Sequence, residues 1–197
     1  MNSTGALIAD TKGTSSDRFA PFLSAGLTVH VHGMLNEQAI KSGAAMSAIP
    51  ALVEFVKNNK GIHGVMTDYE PLDDSVSHAQ AYARWLSAAA AAVHAIPVAA
   101  GEPRKELGLD IADWTILGPG YWHLYNASGV DVMATMTPTY SETARDWPLV
   151  DALVARLRPE QRIDVGIAST LQQSGPPGGR CRGAPFNATF RCVCNQF

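Results

Sequence analysis

Short apolar runs alternate with longer segments of helical periodicity along most of this chain. Gly5–Asp10 (GALIAD), Leu27–His32 (LTVHVH), Gly64–Glu70 (GVMTDYE), Ile96–Ala100 (IPVAA), Val130–Thr137 (VDVMATMT) and Arg162–Ala168 (RIDVGIA) read as strands, being short, apolar or β-branched and bounded by turn residues. Thr14–Asp17 offers capping residues for a short helix to about Ser24, with Gly26 as a stop. Residues 34–47 are small and polar, a loop or a partly helical excursion. Ile49, Leu52, Val53 and Val56 then fall at i, i+3, i+4 and i+7, with Pro50 in the first turn and Gly61 beyond the end, which predicts an amphipathic helix. His78–Ala95 is rich in Ala and reads as a second long helix. A third starts near Asp146 and Pro148, with Val150, Leu153, Val154 and Leu157 at helical spacing.

Strand starts at 27, 64, 96, 130 and 163 are separated by 37, 32, 34 and 33 residues. Strand–helix units at this interval predict parallel βαβ architecture, an α/β fold. Six strands fall short of a closed eight-stranded barrel, which takes roughly 250 residues, so the chain is an open doubly wound sheet or an incomplete barrel. From Leu171 onward the periodicity is lost and Gly, Pro, Arg and Cys predominate, so residues 171–197 read as a disordered tail outside a domain over 1–170.

Composition narrows the class. The 197 residues are 46% hydrophobic, enough for one sizeable core. A net charge of −3 without a basic cluster before the tail argues against nucleic acid or an anionic membrane as partner. No apolar run approaches the roughly 20 residues of a membrane span, and Met1–Ala6 lacks the features of a signal peptide. Cys181, Cys192 and Cys194 are an odd, clustered set that makes neither a disulfide framework nor a four-ligand zinc site. N-x-[ST] sequons stand at Asn2, Asn126 and Asn187.

The chemistry gathers in Gly61–Pro71 (GIHGVMTDYEP), where an apolar strand ends in two acids. Alternation along a strand places Gly64, Met66, Asp68 and Glu70 on one face. Both carboxylates then stand at the strand's carboxyl end, where parallel α/β folds bind ligands. Neighbouring acids in a cleft cannot both ionise freely, so one is a candidate proton donor.

Phe55–Pro71 (FVKNNKGIHGVMTDYEP) resembles the fourth-strand region of family 18 glycoside hydrolases, the chitinase-like (β/α)8 barrels, in which a helix ending F-[LV]-x-K leads into D-G-[IV]-D-[IL]-D-[WY]-E. Ala25–Gly33 (AGLTVHVHG) resembles the third strand of that family, Val130–Met136 the sixth and Arg162–Ala168 the seventh. The resemblance spans about residues 5–170 and implies a partial TIM-type barrel of parallel strands, with about six strands present and the first and eighth missing. It implies substrate-assisted, retaining hydrolysis of β-1,4-linked N-acetylglucosamine polymers, in which the substrate's 2-acetamido oxygen attacks the anomeric carbon. Glu70 would protonate the departing oxygen. Asp68 would orient the acetamido group and stabilise the oxazolinium-like intermediate. The two earlier family acids correspond to His63 and Met66, so a thioether replaces the buried carboxylate that normally holds the stabilising Asp. The sixth-strand M-x-Y-D pattern reads Met136-Thr-Pro-Thr139 here, with Tyr140 one residue beyond, which leaves Met136 and Tyr140 as candidate substrate contacts.

Trp114, Tyr121, Trp122 and Tyr125 lie in one loop-rich stretch. Aromatic faces stack on sugar rings, so Tyr121 and Trp122 are further substrate-binding candidates, and a small hydrophobic plug is the alternative. Glu102 ends the 96–100 strand and would face the Glu70 region or lie on a surface loop. His30 and His32 form an H-x-H pair similar to the metal-binding start of amidohydrolase barrels. Later strand ends offer Glu102 and Thr139 rather than further His, and His94 precedes its strand, so the pair is read as lining the barrel or groove. The reading implies an oligo- or polysaccharide substrate, no metal or other cofactor, and a monomer. The resemblance and the sequons point to secretion. A catalytically silent carbohydrate-binding protein of the same fold is the alternative in a different class, and a metal-dependent hydrolase using His30 and His32 a weaker third.

Overall fold

The computed structural model describes residues 20–26, 28–59, 61–69, 75–111, 121–135 and 151–165. In chain order these form α1 (Ala20–Ser24), β1 (His30–Met34), α2 (Glu37–Ser42), a 3-10 turn (Ala44–Ala48), α3 (Ile49–Asn58), β2 (Gly64–Asp68), α4 (Val76–His94), β3 (Glu106–Ile111), α5 (Trp122–Asn126), β4 (Val132–Thr135) and β5 (Arg162–Val165). A helical turn over residues 151–154 precedes β5.

All five strands are parallel and hydrogen-bonded in sequential order, β1-β2-β3-β4-β5. A doubly wound sheet reverses its strand order part-way across, whereas a barrel wall does not. The helical layer agrees. Val65, Leu107, Leu109, Ile111 and Met133 join one core with residues of α2, α3 and α4, while Met66, Val132 and Ala134 form a separate cluster on the other sheet face. The sheet is therefore an open section of a (β/α) barrel wall, helices outside and a distinct inner face. The strand expected at Gly5–Asp10 and the tail from 171 lie outside the described residues.

Local signals explain the elements that match the pattern. Asn36 caps α2, its side chain accepting from the Ala39 N–H at 3.1 Å, and Gly43 ends that helix at φ 77. Pro50 sits in the first turn of α3, which buries Ile49, Leu52, Phe55 and Val56. The Asn59 side chain closes α3 by donating to the Phe55 carbonyl at 2.8 Å. Ser75 caps α4, accepting from the His78 N–H at 3.3 Å. Small residues on α4, Ala79, Ala89 and Ala90, let Tyr82, Trp85, Leu86 and Val93 reach the core. The Trp85 Nε1–H donates to the Ala45 carbonyl at 3.0 Å and ties the 3-10 turn to α4.

One strand is elsewhere than expected. Ile96 is buried, but Pro97–Ala100 are exposed and the chain turns at Gly101, φ 86. Pro97 lacks the N–H a central parallel strand must donate. The strand between β2 and β4 is Glu106–Ile111 (ELGLDI), whose Leu107, Leu109 and Ile111 face the helices. Gly33, one residue beyond the expected strand Leu27–His32, lies inside β1.

Two glycines set the spacing of the inner face. A side chain at Gly64 would collide with the Glu106 backbone carbonyl, and one at Gly108 with the Met66 sulfur. The thioether end can swing aside, whereas the backbone of a central strand cannot. Gly64→Ala is therefore expected to cost roughly 1–3 kcal/mol and Gly108→Ala less, which urea unfolding of the two variants beside the wild type measures.

Candidate active site

The site is organised from β2 outward. Asp68 is its last residue, paired in register with Met34 of β1 and two positions beyond Met66. Both of its sequence neighbours are fixed in the core. Thr67 is fully buried, its Oγ1 2.7 Å from the Tyr82 hydroxyl and donating at 3.4 Å to the Gly108 carbonyl. Tyr69 is buried with its hydroxyl hydrogen-bonded to His78 Nε2 on α4 and its ring centroid 4.6 Å from that of Tyr82. Burial pushes the Tyr82 phenol well above its ordinary value, the Thr67 hydrogen bond acting in the opposite sense, so the hydroxyl is a neutral partner at all working pH values. Alternation predicts that Tyr69 points away from the acids, and its packing on α4 agrees.

The inner face is layered. At the strand starts, Arg162 of β5 donates to both Glu106 oxygens at 2.6 and 2.7 Å, and His30 Nε2 lies 2.9 Å from Glu106 Oε2. Burial alone would raise the Glu106 pKa, but the hydrogen bonds from Arg162 and His30 outweigh it and hold this carboxyl well below the usual carboxylate range. His63, just before β2, accepts at Nδ1 from the Val29 N–H at 3.2 Å. Burial, and then the neighbouring His30, lower its pKa. Above this layer lie Met66, Val132 and Ala134, with Met66 occupying the space that Gly108 leaves. Nearer the carboxyl ends, His32 Nδ1 stands 3.2 Å from Asp110 Oδ2.

The sequence candidates are thus distributed unevenly. Asp68 stands at the carboxyl edge of the sheet, while Glu70, Met136 and Tyr140 lie outside the described residues, as does Trp114. Tyr121 is the N-cap of α5 and Trp122 its first residue, and α5 packs on α4 in the helical layer, away from the inner face of the sheet. The Arg156 guanidinium lies 5.3 Å from the centre of the Trp122 ring. Tyr125 is core, edge-on to Tyr82 at 5.1 Å. Glu102 is exposed in the turn before β3, its carboxylate accepting from the Ala99 N–H at 3.4 Å. It ends no strand, and the acid at the carboxyl end of the β3 inner face is Asp110. His30 and His32 each meet an acid of β3, and among the described residues no group of three or more His, Cys, Asp or Glu is placed to hold a metal ion. Sequence reasoning passed over Glu106, Asp110 and Arg162. The strict alternation of ELGLDI was the signal for the first two.

Away from the inner face, Asp131 holds the strand starts together. It is hydrogen-bonded to His94 at 2.7 Å, to Arg104 at 2.5 Å and to the Leu107 N–H at 2.9 Å. No helix among the described residues is long and apolar enough to cross a membrane.

Chitinases are among the solved structures with a similar backbone. A variant of the GH18 chitinase from Cycas revoluta in complex with (GlcNAc)4 superposes with a TM-score of 0.55 at 16% identity, covering 77% of this chain and 53% of that one. The same enzyme in complex with allosamidin gives 0.54. The class V chitinase from Nicotiana tobaccum gives 0.56 at 14% identity, covering 83% and 56%. At such identity the likeness is one of fold, and the chain spans about half the length of these enzymes. No protein-family model matches the chain. No curated protein matches it either.

The inner-face ion cluster has a pH signature. Folded Glu106 gives up its proton below the unfolded carboxyl value of about 4.3, so as pH falls the unfolded chain takes up a proton first. Its contribution to stability is present above about pH 4.3 and is lost as pH falls below it. Thermal melts from pH 7 to pH 3 should therefore show a steeper acid loss of Tm for the wild type than for Glu106→Gln.

Proposed function

We propose that the chain is part of a chitinase-like glycoside hydrolase that cleaves β-1,4-linked N-acetylglucosamine polymers by substrate-assisted, retaining chemistry. Supporting this reading above all is the position of Asp68 at the carboxyl end of a barrel strand whose flanking residues, Thr67 and Tyr69, are anchored to α4. An acid on a backbone held so firmly would orient a substrate acetamido group while its neighbour, Glu70, protonates the leaving oxygen. The (GlcNAc)4 and allosamidin complexes of the Cycas revoluta enzyme add support for an oligosaccharide ligand. Met136 and Tyr140 would line the groove beyond β4. The protein would act as a monomer without a cofactor.

A second reading is a carbohydrate-binding protein of the same fold without turnover. One observation favours it: position 66, where the chitinase-like pattern carries a buried acid, holds a methionine sealed among Val132, Ala134 and Gly108. A fluorogenic chitobioside assay separates the two. The enzymatic reading expects measurable hydrolysis by the wild type and a loss of about 100-fold or more in Glu70→Gln. Binding of (GlcNAc)4 by both proteins with turnover by neither would establish the second reading.

A further inference from the structure

A second carboxylate stands one strand away from Asp68. The β2–β3 register ends with Thr67 paired to Leu109, the residues that precede Asp68 and Asp110 in their strands. The Asp110 side chain is only 5% exposed, and its Oδ2 lies 3.2 Å from Nδ1 of His32, which is 32% exposed. This contact reaches from β3 to β1 across β2, over the layer that Met66 fills. The nearest inner-face cluster, Met66, Val132 and Ala134, is apolar, and burying a charge without a partner costs several kcal/mol. A buried acid paired to a more exposed imidazole, at the ligand-binding end of parallel strands, is the pattern of a group kept for chemistry.

We propose that Asp110, held by His32, is the positioning carboxylate of the sugar site and takes from the neighbouring strand the part that position 66 lacks. The inference rests on the enzymatic reading given above. In substrate-assisted hydrolysis the stabilising acid must present one oxygen to the acetamido N–H and stay charged as the oxazolinium-like ion forms. A second carboxylate on the neighbouring strand repels a like charge and so biases which oxygen is presented. His32, with Nδ1 3.2 Å from Asp110 Oδ2, holds that acid in place. No bond is made or broken by Asp110 itself. Its effect falls on the reacting geometry and not on sugar affinity.

The test compares wild type, Asp110→Asn, His32→Gln and the double variant on a fluorogenic chitobioside, with thermal melts as the folding control. Each single variant is expected to lower kcat by about 10- to 100-fold with KM nearly unchanged, and the double variant to be no worse than Asp110→Asn, because the two residues act as one unit. A folded Asp110→Asn that loses less than tenfold in kcat overturns the inference and leaves the enzymatic reading intact. No turnover by the wild type overturns the enzymatic reading and the inference with it. Should Asp110→Asn fail to fold, His32→Gln decides by the same tenfold criterion, since its side chain is the more exposed of the pair.

Discussion

The structure depends on how the end of β2 is fastened to α4. Thr67 and Tyr69 turn their hydroxyls to Tyr82 and His78, and the aromatic rings of Tyr69, Trp85 and Tyr125 pack around that of Tyr82. A hydrogen bond in such surroundings contributes only about 1 kcal/mol net. What these bonds add is direction, because a buried polar group left without its partner costs more than the bond supplies. The residue between them, Asp68, has its backbone fixed from both sides. The helical layer thus positions a candidate site that belongs to the other face of the sheet.

That other face is divided by height. Its lower layer is an ion cluster, Glu106 between Arg162 and His30, and its middle is the apolar Met66, Val132 and Ala134. The cluster links β1, β3 and β5, strands that share no ladder hydrogen bonds with one another. Such a tie helps to hold the curvature of a wall that the sheet's own hydrogen bonds leave open. Polarity then returns near the carboxyl ends with His32 and Asp110. Conserving strand geometry while changing inner-face residues is how barrels vary their chemistry.

Much of this was legible in the chain itself. The helix over 49–58 was marked by Pro50 and its i, i+3, i+4, i+7 pattern, and β2 by an apolar run ending in D-Y-E. The strand β3 was not, because Glu106, Gly108 and Asp110 dilute its apolar residues to half, and IPVAA looked the better strand by propensity alone. Propensity lost to burial: ELGLDI has three apolar side chains for the helices and IPVAA has nothing to pair with. Site partners were hidden for a different reason. His30 meets Glu106, an acid 76 residues away, and His32 meets Asp110. Only the parallel register brings those residues together, and periodicity carries no register. Tyr125 was ambiguous between a sugar platform and a plug, and its burial against Tyr82 settles that position as core.

The central claim is that sugar binds at the carboxyl edge of β2, over the inner face, because α4 fixes the backbone of Asp68 there. A crystal structure of the Glu70→Gln variant soaked with (GlcNAc)4 tests it most directly. The account predicts a sugar unit with its acetamido group against Asp68 and its ring over the inner face of the sheet. Sugar found only on the helical layer, for instance in the groove between α4 and α5 lined by Arg84, Ser87 and Leu124, would contradict it.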